Sequence, residues 1–232
     1  MSATKALHVS LQGFTASFRH PLILSGTQLT TPMPAYSNIL GMISACAGRP
    51  VGHEETRVAF EFHCQARDVE LERTVRWQID KQGRLKLHSK GQGIGRRQVY
   101  WLPRLDLYVE NIQLRSAFEN PTATPCFGRS QDIAWIKSCR QVTLNPVSSG
   151  ALGPTLIPYP QPGIAGLIVR LPEWFENSIA GLPRRPGPFG RYQAIPPTVG
   201  EMRFQVQRDD LFHPSDAEHE DDVIYLHKWL NE

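Results

Sequence analysis

LHVSLQGFTASFRHPLILSGTQLTTPMPAYSNILGMISACAGRP (7–50), followed by RVAFEFHCQ (57–65) and VELERTVRWQI (69–79), decides the fold. Leu7, Val9 and Leu11 alternate with polar His8, Ser10 and Gln12, the period-two pattern of a half-buried strand, and Gly13 ends it. After Pro32 and Pro34 the period changes. Ile39, Leu40, Ile43 and Ala47 follow helical spacing, and Gly48 with Pro50 supplies a stop, so the segment predicts an amphipathic helix about 13 residues long. In the next two segments strand patterning returns, with Val58, Phe60 and Phe62 on one face. RLDLYVEN (104–111) repeats it through Leu105, Leu107 and Val109. The order β-α-β-β with a less regular second half predicts an α+β, ferredoxin-like sheet, the platform of common RNA-binding modules.

The chain has 232 residues, 41% of them apolar, which suits one domain with a real core. No apolar run approaches the 18 or so residues that span a bilayer. Met1 to Leu11 has no signal-peptide core, because His8, Ser10 and Gln12 interrupt it, so the expectation is a cytoplasmic protein without membrane contact. Cys46, Cys64, Cys126 and Cys139 form no CxxC pair, so neither a metal site, a cofactor nor a disulfide framework is expected.

A net charge of +3 is too small to imply a polyanion, but its distribution is uneven. From Arg76 to Arg97 seven Lys or Arg face the single acid Asp80, whereas Asp209 to Asp222 holds seven acids and no Lys or Arg. This pattern predicts a polyanion contact at the first segment, and repulsion or a basic protein neighbour at the acidic segment 209–222. Residues 81–98 lack apolar periodicity and hold Gly83, Gly91, Gly93 and Gly95, which reads as a flexible hairpin projecting from the sheet. Between Asn145 and Gly200 lie eleven prolines, so region 145–200 is expected to be irregular around short elements such as GLIVRL (166–171) and PEWFENSI (172–179). EMRFQVQ (201–207) and DVIYLHKWL (222–230) read as closing strands.

Three segments resemble the Cas-five family, a RAMP-superfamily subunit of type I Cascade complexes of CRISPR systems. One is GFTASFRHPLILSGTQLTTPMPAYSNILGMISACAGRP (13–50), with its ASFR turn, proline-bearing loop and Ser-x-Leu/Ile-Leu-Gly helix. The second is the basic, glycine-containing segment leading into RRQVYWLPRLDLYVEN (96–111). The third is CFGRSQDIAWI (126–136), similar to the family's Leu-Gly-Arg-Ser-Glu/Gln-Asp motif with Phe127 for Leu. The resemblance runs over roughly the first 140 residues and is closest to the type I-B branch. It implies a single RAMP-type domain over 1–232 with residues 81–98 as a protruding β-hairpin thumb. It also implies binding of the 5′ handle of the crRNA beside the large and backbone Cascade subunits, with target DNA met only indirectly.

Candidate RNA-binding residues follow, each with a plainer alternative. Arg84, Lys86, Lys90, Arg96 and Arg97 supply phosphate-neutralising charge, or form only a solvated loop. Arg19 leaves a strand end beside loop residues. Ser37 sits near a helix N-terminus where free N–H groups favour anions, and Tyr36 offers a ring for an unpaired base; alternatively Ser37 or Asn38 caps the helix and Tyr36 packs over the sheet. Arg129, after Gly128, offers a planar donor fork, and Ser130 is a candidate N-cap for a helix from Gln131. Arg191, with Arg184, Arg185, Phe189 and Tyr192, has the composition of a single-strand or partner contact, or of a ligand-free surface loop.

The sequence therefore predicts a non-catalytic crRNA-binding subunit without a catalytic residue. The alternative is a metal-independent crRNA-processing endoribonuclease of the same family, with His88 as base and Lys86 or Lys90 stabilising the developing charge. A third reading is a protein-interaction module whose arginines meet acidic partners. His213 and His219 near Asp216, Glu218 and Asp222 belong to a hydrophilic tail rather than a metal site.

Overall fold

The alternation at Leu7, Val9 and Leu11 becomes the middle of β1 (Thr4–Gly13) in the computed structural model, which describes residues 2–20, 23, 27–176, 184–197 and 202–230. A two-residue strand, β2 (Thr15–Ala16), follows, and then α1 (Tyr36–Ala47). The helix is 12 residues long and ends at Gly48, whose left-handed φ of 67° suits a residue without Cβ. Ser37 does not cap it; the Asn38 side chain instead accepts the Ala35 backbone N–H at 3.0 Å. Strands β3 (Val58–His63), β4 (Ala66–Ile79), β5 (Leu85–Trp101) and β6 (Arg104–Val109) come next, followed by the one-turn α2 (Arg115–Glu119).

The second half supplies β7 (Ala134–Leu152), β8 (Leu156–Pro158), β9 (Leu167–Pro172), β10 (Phe175–Glu176), β11 (Arg185–Pro186), β12 (Phe189–Ala194), β13 (Phe204–Pro214) and β14 (Asp222–Tyr225). Strands dominate, and helix is confined to α1, α2 and two short 3-10 turns among the described residues. The main sheet runs β13-β14-β7-β1-β6-β3. Within it β1 is antiparallel to β6 and β7, and β3 is antiparallel to β6. Because side chains alternate across a strand, Leu7, Val9 and Leu11 share the inner face with Phe60, Phe62, Leu105 and Leu107. Ile39, Ile43 and Cys46 of α1 pack in the same core.

The proline-rich region is more regular than expected. β7 continues through Pro146, paired with Phe212 of β13, and β8, β12 and β9 form a three-stranded sheet. Proline's fixed φ lies within the extended range, and only its missing N–H limits a ladder, so short paired strands survive. GLIVRL becomes most of β9. Of PEWFENSI, the part beyond Glu176 lies outside the described residues, as does Glu201 of EMRFQVQ.

The acidic segment is not a free polyanion. Asp209 and Asp210 lie within β13, and Asp210 binds Arg208 at 2.7 Å. Asp216 binds His8 and Arg140, each at 2.7 Å, and Asp222 approaches Arg203 at 3.1 Å. Three of its seven acids are thus paired with cations inside the chain. Residues 226–230 do not continue as strand; they form a largely buried strap in which the Trp229 indole donates to the Thr56 carbonyl at 2.9 Å. His227 meets Glu173 there at 2.6 Å, both fully buried. No helix among the described residues is long and apolar enough to cross a membrane. Cys46 and Cys64 are buried, and burial pushes each thiol up to about 11.

Candidate nucleic-acid interface

β4 and β5 pair from Ala66–Trp101 out to Ile79–Leu85, forming one long hairpin exposed on both faces over most of its length. The turn at its tip is set by Asp80, whose Oδ1 accepts the N–H groups of Gln82 and Arg84 at 2.9 Å each. Gly83 there has φ 77°. This corrects the expectation that residues 81–98 form the hairpin by themselves with glycines as joints. Those residues make the tip and one strand, and β4 with its β-branched and aromatic side chains makes the other. The hairpin is anchored through β2, which pairs with Tyr100 and Trp101, and through Gln28, which bridges Arg97.

Gly91, Gly93 and Gly95 lie inside β5, none with positive φ. Gly91 is packed in the bulge, where a Cβ would stand 2.3 Å from the His88 carbonyl, but Gly93 and Gly95 share one face and their missing side chains leave a trough along the strand. A Cβ at Gly93 would meet nothing within 4 Å, and one at Gly95 only the Glu72 carbonyl at 4.0 Å. Thr74 and Arg76 of β4 wall the trough on one side, Arg19, Thr27 and Gln28 on the other, and the concavity measures about 670 Å³. A register shift between Val75 and Trp77 leaves residues 88–91 bulged opposite Arg76, bringing Lys90 to the rim.

Five cations line or rim this trough (Arg19, Arg76, Lys90, Arg96 and Arg97) against one acid, Glu72. Glu72 accepts from Arg97 at 2.8 Å and neutralises it. The Arg96-Arg97 doublet is split by the strand's alternation. Arg97 pairs with Glu70 on the trough face, while Arg96 pairs with Leu71 on the opposite face and reaches the trough only at its rim. A side-chain-free floor between cationic walls admits a sugar-phosphate strand or a planar base close to the backbone, with charge placed to offset phosphates.

Other expected residues lie elsewhere. Lys86 pairs with Gln78 and Arg84 closes the tip turn, so both are exposed on the hairpin's outer part and neither lines the trough. Tyr36 is in the core. Its hydroxyl donates to the Leu156 carbonyl at 2.8 Å and its ring stacks on His227 at 3.7 Å, which leaves no face for a base. Ser37 lines a separate concavity beside Gly41, Trp174 and Arg184.

Arg129 is spent on carboxylates. It clasps Asp132 with two bonds of 2.7 and 2.8 Å and also binds Glu70 of the hairpin. Burial works against its charge, but the hydrogen bonds to Asp132 and Glu70 outweigh it and hold the guanidinium above the usual arginine range. The residue braces the hairpin root rather than presenting a fork to phosphate. Gly128 beside it has φ 104°, and a Cβ there would stand 2.1 Å from the Ser17 carbonyl, so only glycine fits. No helix starts at Gln131; a turn leads directly into β7.

Arg191 lies on β12 opposite Arg170, both exposed, and Arg170 covers the Phe189 ring at 5.2 Å. The described part of that basic-aromatic run is thus strand, not irregular loop. His88 sits in the hairpin bulge, where its Nδ1 accepts the Lys90 backbone N–H at 3.1 Å. No group of metal-holding side chains occurs among the described residues. Sequence reasoning missed Arg76 as a site residue and Thr27 and Gln28 altogether. Nothing local marks the latter two; only the pairing of Gln28 with Arg97 of β5 brings them to the trough.

Residues 6–117, which include the whole hairpin and Arg19, match the model of the family described as CRISPR-associated protein (Cas_Cas5). A chain of a CRISPR RNA-guided surveillance complex shares the fold at a TM-score of 0.53 with 14% identity, over 85% of this chain and 91% of that one. A CRISPR protein from Archaeoglobus fulgidus aligns over 97% of this chain and 100% of its own, at a TM-score of 0.48 and 11% identity. No curated protein matches the sequence.

Proposed function

We propose that this chain is a Cas-five-family subunit of a CRISPR surveillance complex of the Cascade type. In this reading it holds the 5′ handle of the guide RNA in the glycine-floored trough, bridges the large and backbone subunits, and cleaves nothing. The family match over residues 6–117 and the fold shared with a surveillance-complex chain support the family and the complex. The strand order β7-β1-β6-β3, all neighbours antiparallel with α1 crossing from β1 to β3, supports a ferredoxin-like RAMP core with the 66–101 hairpin as its thumb. The type I-B motif resemblance makes a separate Cas-six-type ribonuclease the source of the handle.

The observation that carries the RNA reading is the trough itself, with Arg19, Arg76 and Lys90 around a floor that has no side chains, after Arg97 is set aside as paired with Glu72 and Arg96 as belonging to the opposite face. Backbone affinity of this kind depends on salt through counterion release. Replacing Arg19, Arg76 and Lys90 with Ala is expected to weaken binding of repeat-derived RNA and to lower the salt slope by about 0.7 per lost phosphate contact. Filter-binding titrations between low and physiological salt read both quantities; an unchanged slope rejects the trough as the RNA site. Incubation with the repeat RNA in EDTA tests the non-catalytic part. A 2′,3′-cyclic phosphate product that disappears in His88→Ala would establish the endoribonuclease instead.

A further inference from the structure

The hairpin face opposite the trough is apolar and uncovered by the described chain. Directly paired residues share a face, so the register gathers Val69, Leu71, Val75, Trp77 and Ile79 of β4 with Leu85, Leu87 and Ile94 of β5. Leu71, Ile79 and Ile94 are 72%, 73% and 78% exposed, and Trp77 is 60% exposed. From Val69 to Ile79 the stripe runs about 33 Å at the usual rise of a strand. Soluble monomers rarely leave so continuous an apolar surface in water.

Its polar members narrow the occupant. On this face the paired positions from Val69 to Ile79 include Arg73, Arg96, Gln92 and Gln98 and no carboxylate, since Glu70 and Glu72 alternate onto the other face. A second copy laid face to face would bring two sets of arginines together with no acid to receive them. A nucleic acid strand would find one aromatic ring among seven aliphatic side chains, while Arg76, Lys90 and Arg97 serve the other face. We infer that this face docks on a different protein, one whose surface is apolar and places Asp or Glu opposite Arg73 and Arg96. The hairpin then has two sides, one facing nucleic acid and one facing protein. That the partner is another subunit of the complex rests on the function proposed above; the chemistry of the face does not.

The test is photocrosslinking in the assembled complex, purified with its guide RNA through a tag on this chain, with p-benzoyl-phenylalanine in place of Leu71 or of Trp77. The expected product is an adduct with a different protein subunit, mapped by mass spectrometry to an apolar segment bearing Asp or Glu. An adduct with RNA, an adduct with a second copy of this chain, or no adduct overturns the inference. As a second measurement, Leu71→Asp with Trp77→Asp should weaken retention of that subunit about tenfold or more while the purified chain's affinity for repeat RNA stays within about twofold. Unchanged retention also overturns it. A protein adduct in a complex that holds no RNA would sink the function proposed above and leave this inference standing.

Discussion

His8 lies against Tyr108, ring on ring at 4.4 Å, with Asp216 2.7 Å from its Nδ1 and Asp106 3.5 Å from its Nε2. Arg140 shares Asp216 at 2.7 Å and Arg104 shares Asp106 at 3.0 Å. Burial disfavours the imidazolium, but hydrogen bonds to Asp106 and Asp216 outweigh it and raise His8 above its ordinary 6.5. A raised value means the stabilisation is complete below the unfolded-state value and is lost as pH rises through the folded one. Asp106 and Asp216 are held below the ordinary carboxylate value despite burial, chiefly by hydrogen bonds to His8, so their share is lost at the acid end. Urea midpoints of the wild type should therefore fall as pH rises from about 6.5, and His8→Gln should flatten that decline. A wild-type midpoint indifferent to pH across that range would refute the coupling. None of this was legible in the sequence, where His8 was a polar residue on a strand's outer face. Arg129 and Tyr36 show the same gap, because residue type marked them as candidates and only the packed neighbours decided against RNA.

The contrast between α1 and the hairpin shows where element-level reading works. The helix was legible to within a residue or two, because its apolar period and its glycine stop are local signals. The hairpin was legible as a basic, glycine-bearing excursion but not in its extent, since β4 looked like part of the main sheet until pairing with β5 assigned it. Glycine carries the difference. In sequence it signals a joint, yet once a strand partner fixes the backbone these residues are extended, and at Gly93 and Gly95 their effect is an empty floor. Gly93→Val fills that floor where a Cβ meets no atom within 4 Å. Thermal stability should hold or rise, since valine suits a strand better than glycine, while affinity for repeat RNA should fall about tenfold or more. Wild-type affinity in this variant would show that the trough is not used.

For the whole molecule, closure depends on the last described residues. Trp229 is 2% exposed, packs edge-on to His227 and bonds the Thr56 carbonyl, tying this strap to the end of the 3-10 turn (His53–Glu55) that precedes β3. Trp229→Ala should cost about 3–5 kcal/mol, from lost burial plus the cavity, read as a lower denaturant midpoint by circular dichroism. A loss under about 1 kcal/mol would mean that the strap is not part of the cooperative core. The sequence by itself determined the first strand, the helix, the strands after it, the family resemblance and the segment where cations gather, because periodicity, stop signals and charge density are properties of neighbouring residues. Only the tertiary structure decided which cations stay open to a ligand, that Asp210, Asp216 and Asp222 of the acidic segment pair within the chain, and that the hairpin has one apolar and one cationic side. Those outcomes depend on strand register and on partners many residues away, which no local pattern encodes.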